Sequence, residues 1–343
     1  MPARLKPLDQ QVIVITGASS GHGLATARMA AAAGARVMLA ARDEEALREI
    51  CNDIRAEGGR ADYVVTDVGD EAQVQRLADQ TIARFGGFDC WVNNAGIGIY
   101  SELLDTPIED HRKIFETNYW GVVHGSLAAV RHLKGKNGGG AIINVGSINS
   151  DMSGPLLGAY NASKHAVKGF TDALRIEMKA DDAPISITLI KPSAIGTPFT
   201  EHGRNMTGYE ARLPQPIYSP EIVAHAILDA AQHPRRAITV GAGGKLQVLG
   251  AVLFPSLFDR IATGMRDSLL YKDRPQPPVE GNLYEPQGND GRAEGRQQGR
   301  KFSLFTTGRT HPAATLAMVA ATGVGGALLY ALQKGRPAIA GSR

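Results

Sequence analysis

Tyr160 and Lys164 stand four residues apart in Gly158-Ala159-Tyr160-Asn161-Ala162-Ser163-Lys164. On a helix that spacing puts both side chains on one face. A phenol is a weak acid, with an ordinary pKa of about 10. An ammonium beside it favours the phenolate and lowers that value. Such a pair can give a proton to a carbonyl, or take one from an alcohol, near neutral pH.

The elements that must position this pair begin with Val12-Ile13-Val14-Ile15, a β-branched run expected of a buried parallel strand. Thr16-Gly17-Ala18-Ser19-Ser20-Gly21-His22-Gly23 follows at once, and then an Ala-rich helix over 24–33. Glycines in such a turn let the backbone approach a pyrophosphate seated on the helix N-terminus. The spacing is G-x-x-x-G-x-G, not G-x-G-x-x-G. His22 reads as a turn residue contributing packing or backbone. A second strand over 36–40 ends at Ala41-Arg42-Asp43. An acid at this strand end binds a ribose 2′-OH, whereas an arginine nearby accommodates a 2′-phosphate. Arg42 therefore points to NADP(H) rather than NAD(H). Asp43 is a candidate N-cap for the next helix.

Further strands are expected over 61–66, 88–92, 141–145, 185–190 and 237–240, alternating with helices. One long helix, 107–133, carries the polar Asn118. The alternation predicts an α/β fold, a doubly wound parallel sheet of about seven strands with helices on both faces. Ligands of such sheets bind at the carboxyl ends of the strands. Asp67-Val68, Asn93-Asn94-Ala95-Gly96, Ser147 and the run from Lys191 to Pro198 all fall there.

The chain has 343 residues and a net charge of +3, too small to argue for nucleic acid. Its two cysteines, Cys51 and Cys90, give neither a metal-ligand cluster nor a disulfide framework. No signal-peptide apolar region opens the sequence, so a cytoplasmic catalytic domain is expected. That domain is placed at 1–245, with a substrate lid near 196–218. Lid residues Phe199, His202, Met206 and Tyr209 suit a partly apolar alcohol or ketone, or simple packing. A short helical extension is expected over 246–270, and a flexible linker, dense in Pro, Gly and Gln, over 271–311. Residues 312–333 are read as an apolar helix and candidate membrane anchor.

These motifs, in this order over 8–245, resemble the short-chain dehydrogenase/reductase family. The resemblance implies that Tyr160 is the proton donor or acceptor. Lys164 would lower its pKa and bind the nicotinamide ribose, and Ser147 would hold the substrate oxygen. Asn118 would support a proton-relay water. Gly17, Ser19, Ser20, Gly21 and Gly23 would surround the cofactor diphosphate and ribose. Asp67 and Val68 would border the adenine, and Asn94, with Ala95 and Gly96, the adenosine ribose. Ile195 and Thr197 would approach the carboxamide. A small carbonyl or alcohol substrate and a homo-oligomer are implied as partners. Two positions depart from the family: Ser193 replaces a common glycine, and His22 a small aliphatic residue. A binding-only regulator and a sugar epimerase or dehydratase are the rival readings. An intact Ser147, Tyr160 and Lys164 argues against the first. The absence of a G-x-x-G-x-x-G loop argues against the second.

Overall fold

The computed structural model describes residues 3–288 and 291–310. Seven strands form one parallel sheet: β1 (Val12–Thr16), β2 (Arg36–Ala41), β3 (Arg60–Val65), β4 (Cys90–Asn93), β5 (Gly140–Val145), β6 (Ile185–Pro192) and β7 (Ala237–Val240). Their spatial order is β7-β6-β5-β4-β1-β2-β3. The order reverses at β1, and the crevice of a doubly wound sheet lies at that switch.

Helices cover both faces. They are α1 (Gly21–Ala32), α2 (Glu44–Ala56), α3 (Glu71–Phe85), α4 (Ile108–Phe115), α5 (Gly121–Leu133), α6 (Gly158–Ala180) and α7 (Pro220–Gln232). Alternate side chains of a strand point to opposite faces. In β1, Ile13 and Ile15 accordingly pack with Leu24, Leu47 and Ile227. Val12 and Val14 pack with Leu77, Leu133 and Leu174 on the other side. Both faces being covered, the strand carries no polar alternation. Asp43 caps α2 by accepting from Ala46 N at 3.0 Å, a contact worth about 1 kcal/mol.

The helix expected over 107–133 is broken. A π-helical turn, Glu116–Trp120, joins α4 to α5 and contains Asn118. Such turns insert an extra residue into the helical ladder and concentrate at functional sites.

The segment after the C-terminal helices differs from expectation. Helices α8 (Ala242–Leu253) and α9 (Pro255–Met265) lead to β8 (Leu270–Pro275), which pairs antiparallel with the short strand Tyr209–Ala211. The segment expected to be a flexible linker is a strap laid back across the domain. Asn205 and Val279 exchange backbone hydrogen bonds of 2.9 Å, and Asn282 N donates to His202 O at 2.7 Å. Gly291 N donates to Ser19 O at 2.7 Å, and Gly295 N to Gly196 O at 2.9 Å. Leu283 is fully buried among Ile97, Ile99 and Ile114. Low hydrophobic periodicity hid this because backbone bonds and one apolar anchor hold the strap. A last helix, α10 (Leu304–Thr310), packs by β7 and α7. Among the described residues no helix is long and apolar enough to cross a membrane, and 312–333 lies outside them.

Candidate active site

Two cavities meet at the carboxyl edge of the sheet. The first is a groove running past the loop after β1 and the ends of β2, β3 and β4. Gly17, Ser19, Ser20 and Gly21 line it, as do Arg42, Asp67, Val68, Asn94, Ala95 and Gly96. The second is lined by Ser147, Tyr160, Lys164 and Ile195, among others. His22, Asn94, Gly96, Thr197 and Phe199 border both. Of the expected lid residues, Phe199 and His202 reach these cavities, whereas Met206 and Tyr209 do not.

The groove is a backbone cradle. Gly17 and Gly21 adopt φ of +64° and +57°, a region costly for side chains other than glycine. At Gly23 a Cβ would lie 2.1 Å from Gly17 O, so the turn and α1 touch there directly. Ser20 makes no side-chain cap to α1. An uncapped helix N-terminus favours an anion. One of its amides is engaged, since Gly21 N donates to Arg292 O at 3.0 Å. The strap therefore roofs this end of the groove. Arg42 holds the roof as well, donating to Asn282 O at 2.5 Å and Tyr284 O at 2.7 Å.

Asn94 fixes the base of the groove. Its Nδ2 donates to Thr16 O at 2.9 Å and to Gly17 O at 3.0 Å, so its Oδ1 is left as acceptor. His22 Nδ1 lies 2.6 Å from that oxygen and must carry the hydrogen. Burial pushes the His22 pKa down to about 4, with the nearby Lys164 charge adding to the shift, so the ring is neutral at pH 7. The turn residue of the sequence reading thus has a specific side-chain bond.

Tyr160 sits in the first turn of α6, its ring edge-on to Phe199 at 5.4 Å between centroids. Its hydroxyl and the Ser147 side chain line the same cavity. Lys164 is buried, donates from Nζ to Val145 O at 2.9 Å, and lies 5.7 Å from the Tyr160 ring centroid. Burial lowers the Lys164 pKa to about 8. The expectation that Lys164 depresses the Tyr160 pKa is corrected here. Burial raises the phenol to about 12, and the neighbouring Ser147 side chain offsets only part of the shift. With its pKa raised by burial, Tyr160 rests protonated at neutral pH.

Asn118 is fully buried. Its Oδ1 accepts from Ile97 N at 2.8 Å, and its Nδ2 donates to Ile97 O at 3.0 Å and Ser163 Oγ at 3.1 Å. The side chain is thus committed to joining the loop after β4 to α6. A second buried network was not foreseen. Asn93 Nδ2 donates to Ser126 Oγ at 3.0 Å and Asn144 Oδ1 at 2.9 Å, and Asn144 Nδ2 donates to Thr171 Oγ1 at 2.9 Å. It ties β4 and β5 to α5 and α6, the helix that carries Tyr160. An asparagine in an otherwise apolar strand is the signal that marks it, since buried amides require partners.

The sequence similarities extend over this same edge. The family model for short chain dehydrogenases matches residues 11–207. The chain is 41% identical over 320 residues to an uncharacterized oxidoreductase, YxnA, of Bacillus subtilis (strain 168), spanning 92% of this chain and 90% of that one. It is 32% identical over 263 residues to dehydrogenase/reductase SDR family member 7B of Xenopus tropicalis, spanning 73% of this chain and 84% of that one. Among solved structures, a short chain dehydrogenase/reductase from Burkholderia phymatum in complex with NAD shares 28% identity and a TM-score of 0.63, over 80% of this chain and 99% of that one. An alcohol dehydrogenase from the archaeon Thermococcus sibiricus, complexed with 5-hydroxy-NADP, shares 27% identity and a TM-score of 0.59, over 67% and 95%. The glycine turn, the strand ends and the Tyr160–Lys164 helix all fall inside the matched 11–207, and on that ground the chain belongs to the short-chain dehydrogenase/reductase family of oxidoreductases, which bind a nicotinamide dinucleotide.

Proposed function

We propose that this protein is an NADP(H)-dependent oxidoreductase that interconverts ketones and secondary alcohols, with Tyr160 as the acid/base. The observation that carries this reading is that Ser147, Tyr160 and Lys164 line one cavity, close to where the dinucleotide groove opens into it. The groove residues fit a dinucleotide: two positive-φ glycines and an uncapped helix end suit its diphosphate. Arg42, at the end of β2, suits a 2′-phosphate. When bound, NADPH supplies the hydride. Everything else is done by this chain. Ser147 and Tyr160 hold the carbonyl oxygen, and Tyr160, protonated at rest, gives its proton to the oxygen as negative charge develops there. Lys164 supplies a positive charge behind the phenol, and Asn118 keeps the loop after β4 docked on α6.

Tracing deuterium tests this reading. With NADPH deuterated at the transferable position and a neutral ketone in ordinary water, the label is expected on the carbinol carbon of the product. Recovery of unlabelled alcohol would refute direct hydride transfer.

Contact with a membrane through 312–333 belongs to the same proposal. Its support is the uncharged sequence of 312–332 together with the outer face of α8 and α9. Leu246, Phe254, Leu257 and Ile261 are all more than half exposed there. An apolar helix face flanked by an apolar segment binds the boundary of a bilayer. The full chain is expected to float with phospholipid vesicles and a chain ending at Thr310 to float less. Equal recovery of both in the dense fraction would contradict membrane contact. Association of copies is also expected, supported by exposed Trp120 and Ile176 on the helical faces.

A further inference from the structure

Residues of two origins surround Tyr160. The reacting groups Ser147, Tyr160 and Lys164 lie inside the segment shared with the family, 11–207. Much of the facing wall lies beyond it: Leu213, Phe258, Ala262, Met265 and Leu269. Helix α9 supplies Phe258, Ala262 and Met265, so one helix of the C-terminal extension closes one side of the cavity. The space is about 1120 Å3 with its open mouth included.

The wall has a distinct chemistry. Among the described residues, no Asp, Glu or Arg lines it. Lys164 is its one Lys or Arg side chain among the described residues, and its Nζ is bonded to Val145 O behind the phenol. His22 is held neutral by burial. The remaining polar groups, such as Asn149, Ser193 and Gln247, are uncharged. A carboxylate, phosphate or ammonium carried by the substrate would enter without a counter-ion, and burying an unpaired charge is strongly unfavourable. An alkyl chain, by contrast, would meet Met152, Leu157, Phe199, Phe258 and Met265.

We infer that the substrate is a neutral ketone or secondary alcohol with a long apolar body, and that α9 selects for that body. This rests on the proposed carbonyl chemistry but goes beyond it to the substrate class. The wall determines the specificity constant and Tyr160 the chemical step.

The test uses the full-length protein, NADPH and a series of methyl ketones from butanone to undecanone. Burying each added methylene is expected to raise kcat/KM about fourfold, until the cavity is filled. Levulinate and its methyl ester form the charged and neutral pair, and the ester is expected to be preferred by at least about tenfold. In Met265→Lys, a cation in the wall should reverse that pair towards the acid and flatten the chain-length slope. Calorimetric binding of the matching secondary alcohols, without cofactor, separates the two levels of the claim. Affinity that climbs with chain length supports the apolar wall even if no ketone oxidises NADPH, a result that would sink the carbonyl-reductase reading instead. NADPH oxidation with a flat chain-length profile, equal or better use of levulinate, or alcohol affinity independent of length would each overturn the inference.

Discussion

Tyr160→Phe is expected to lower kcat for ketone reduction by about 10²–10⁴-fold, the usual loss when a general acid is removed. NADPH affinity should stay nearly unchanged. The change deletes one oxygen and keeps the ring, so the edge-on contact with Phe199 survives. Losing the hydroxyl removes at most one hydrogen bond, a modest effect of about 1 kcal/mol. Collapse of the fold therefore cannot stand in for loss of the acid. The elevated pKa of about 12 fixes the pH dependence. A phenol titrating that high is protonated at neutral pH, the form needed to reduce a ketone. Alcohol oxidation needs the phenolate, whose population grows tenfold per pH unit below the pKa. Oxidation by the wild type should therefore climb with pH while reduction holds at neutrality, as initial rates in both directions will show. Full activity of Tyr160→Phe would remove Tyr160 from the chemistry.

Arg42→Ala is the second large effect. Hydrogen bonds between charged groups are worth roughly 1.5–3 kcal/mol, so NADPH affinity should fall about one to two decades. Arg42 also has a structural role that bears on the result. Its guanidinium binds the strap carbonyls of Asn282 and Tyr284. Two of its five N–H donors serve those bonds, which leaves donors for a 2′-phosphate. If Arg42 binds phosphate, the variant loses NADPH affinity far more than NADH affinity. If Arg42 only ties down the strap, both affinities fall together, because the same roof covers either cofactor. Fluorescence titration with each dinucleotide distinguishes the two, and a parallel loss would end the phosphate assignment.

Local patterns made much of the site legible. The β-branched run before Thr16 sets a buried strand, and the glycines after it face a turn that only small residues permit. Tyr160 and Lys164 needed nothing beyond helical spacing to be paired, and Arg42 nothing beyond its place after β2. What stayed hidden depended on distant partners. The Tyr160 pKa is set chiefly by burial, which is not visible in a spacing of four. Asn93 reveals its role only when β4 lies beside β5 and Asn144. The strap from Val279 to Arg300 has linker composition, yet Leu283 and a series of main-chain bonds to the loops after β1 and β6 hold it in place. Those bonds depend little on side-chain identity, so a Pro- and Gly-rich stretch carries almost no record of them. Asn118 lay in a pattern that reads as continuous helix, and the π turn that sets it against Ile97 breaks the ladder with no proline or glycine inside it, Gly121 coming only at its end.

The central claim is most directly tested by kcat/KM of the full-length protein for NADPH and for NADH with the same neutral ketone. NADPH should be preferred by about 10- to 100-fold, the selectivity that one charge-assisted contact to the 2′-phosphate provides. Equal values for the two cofactors, or oxidation of neither, would contradict it.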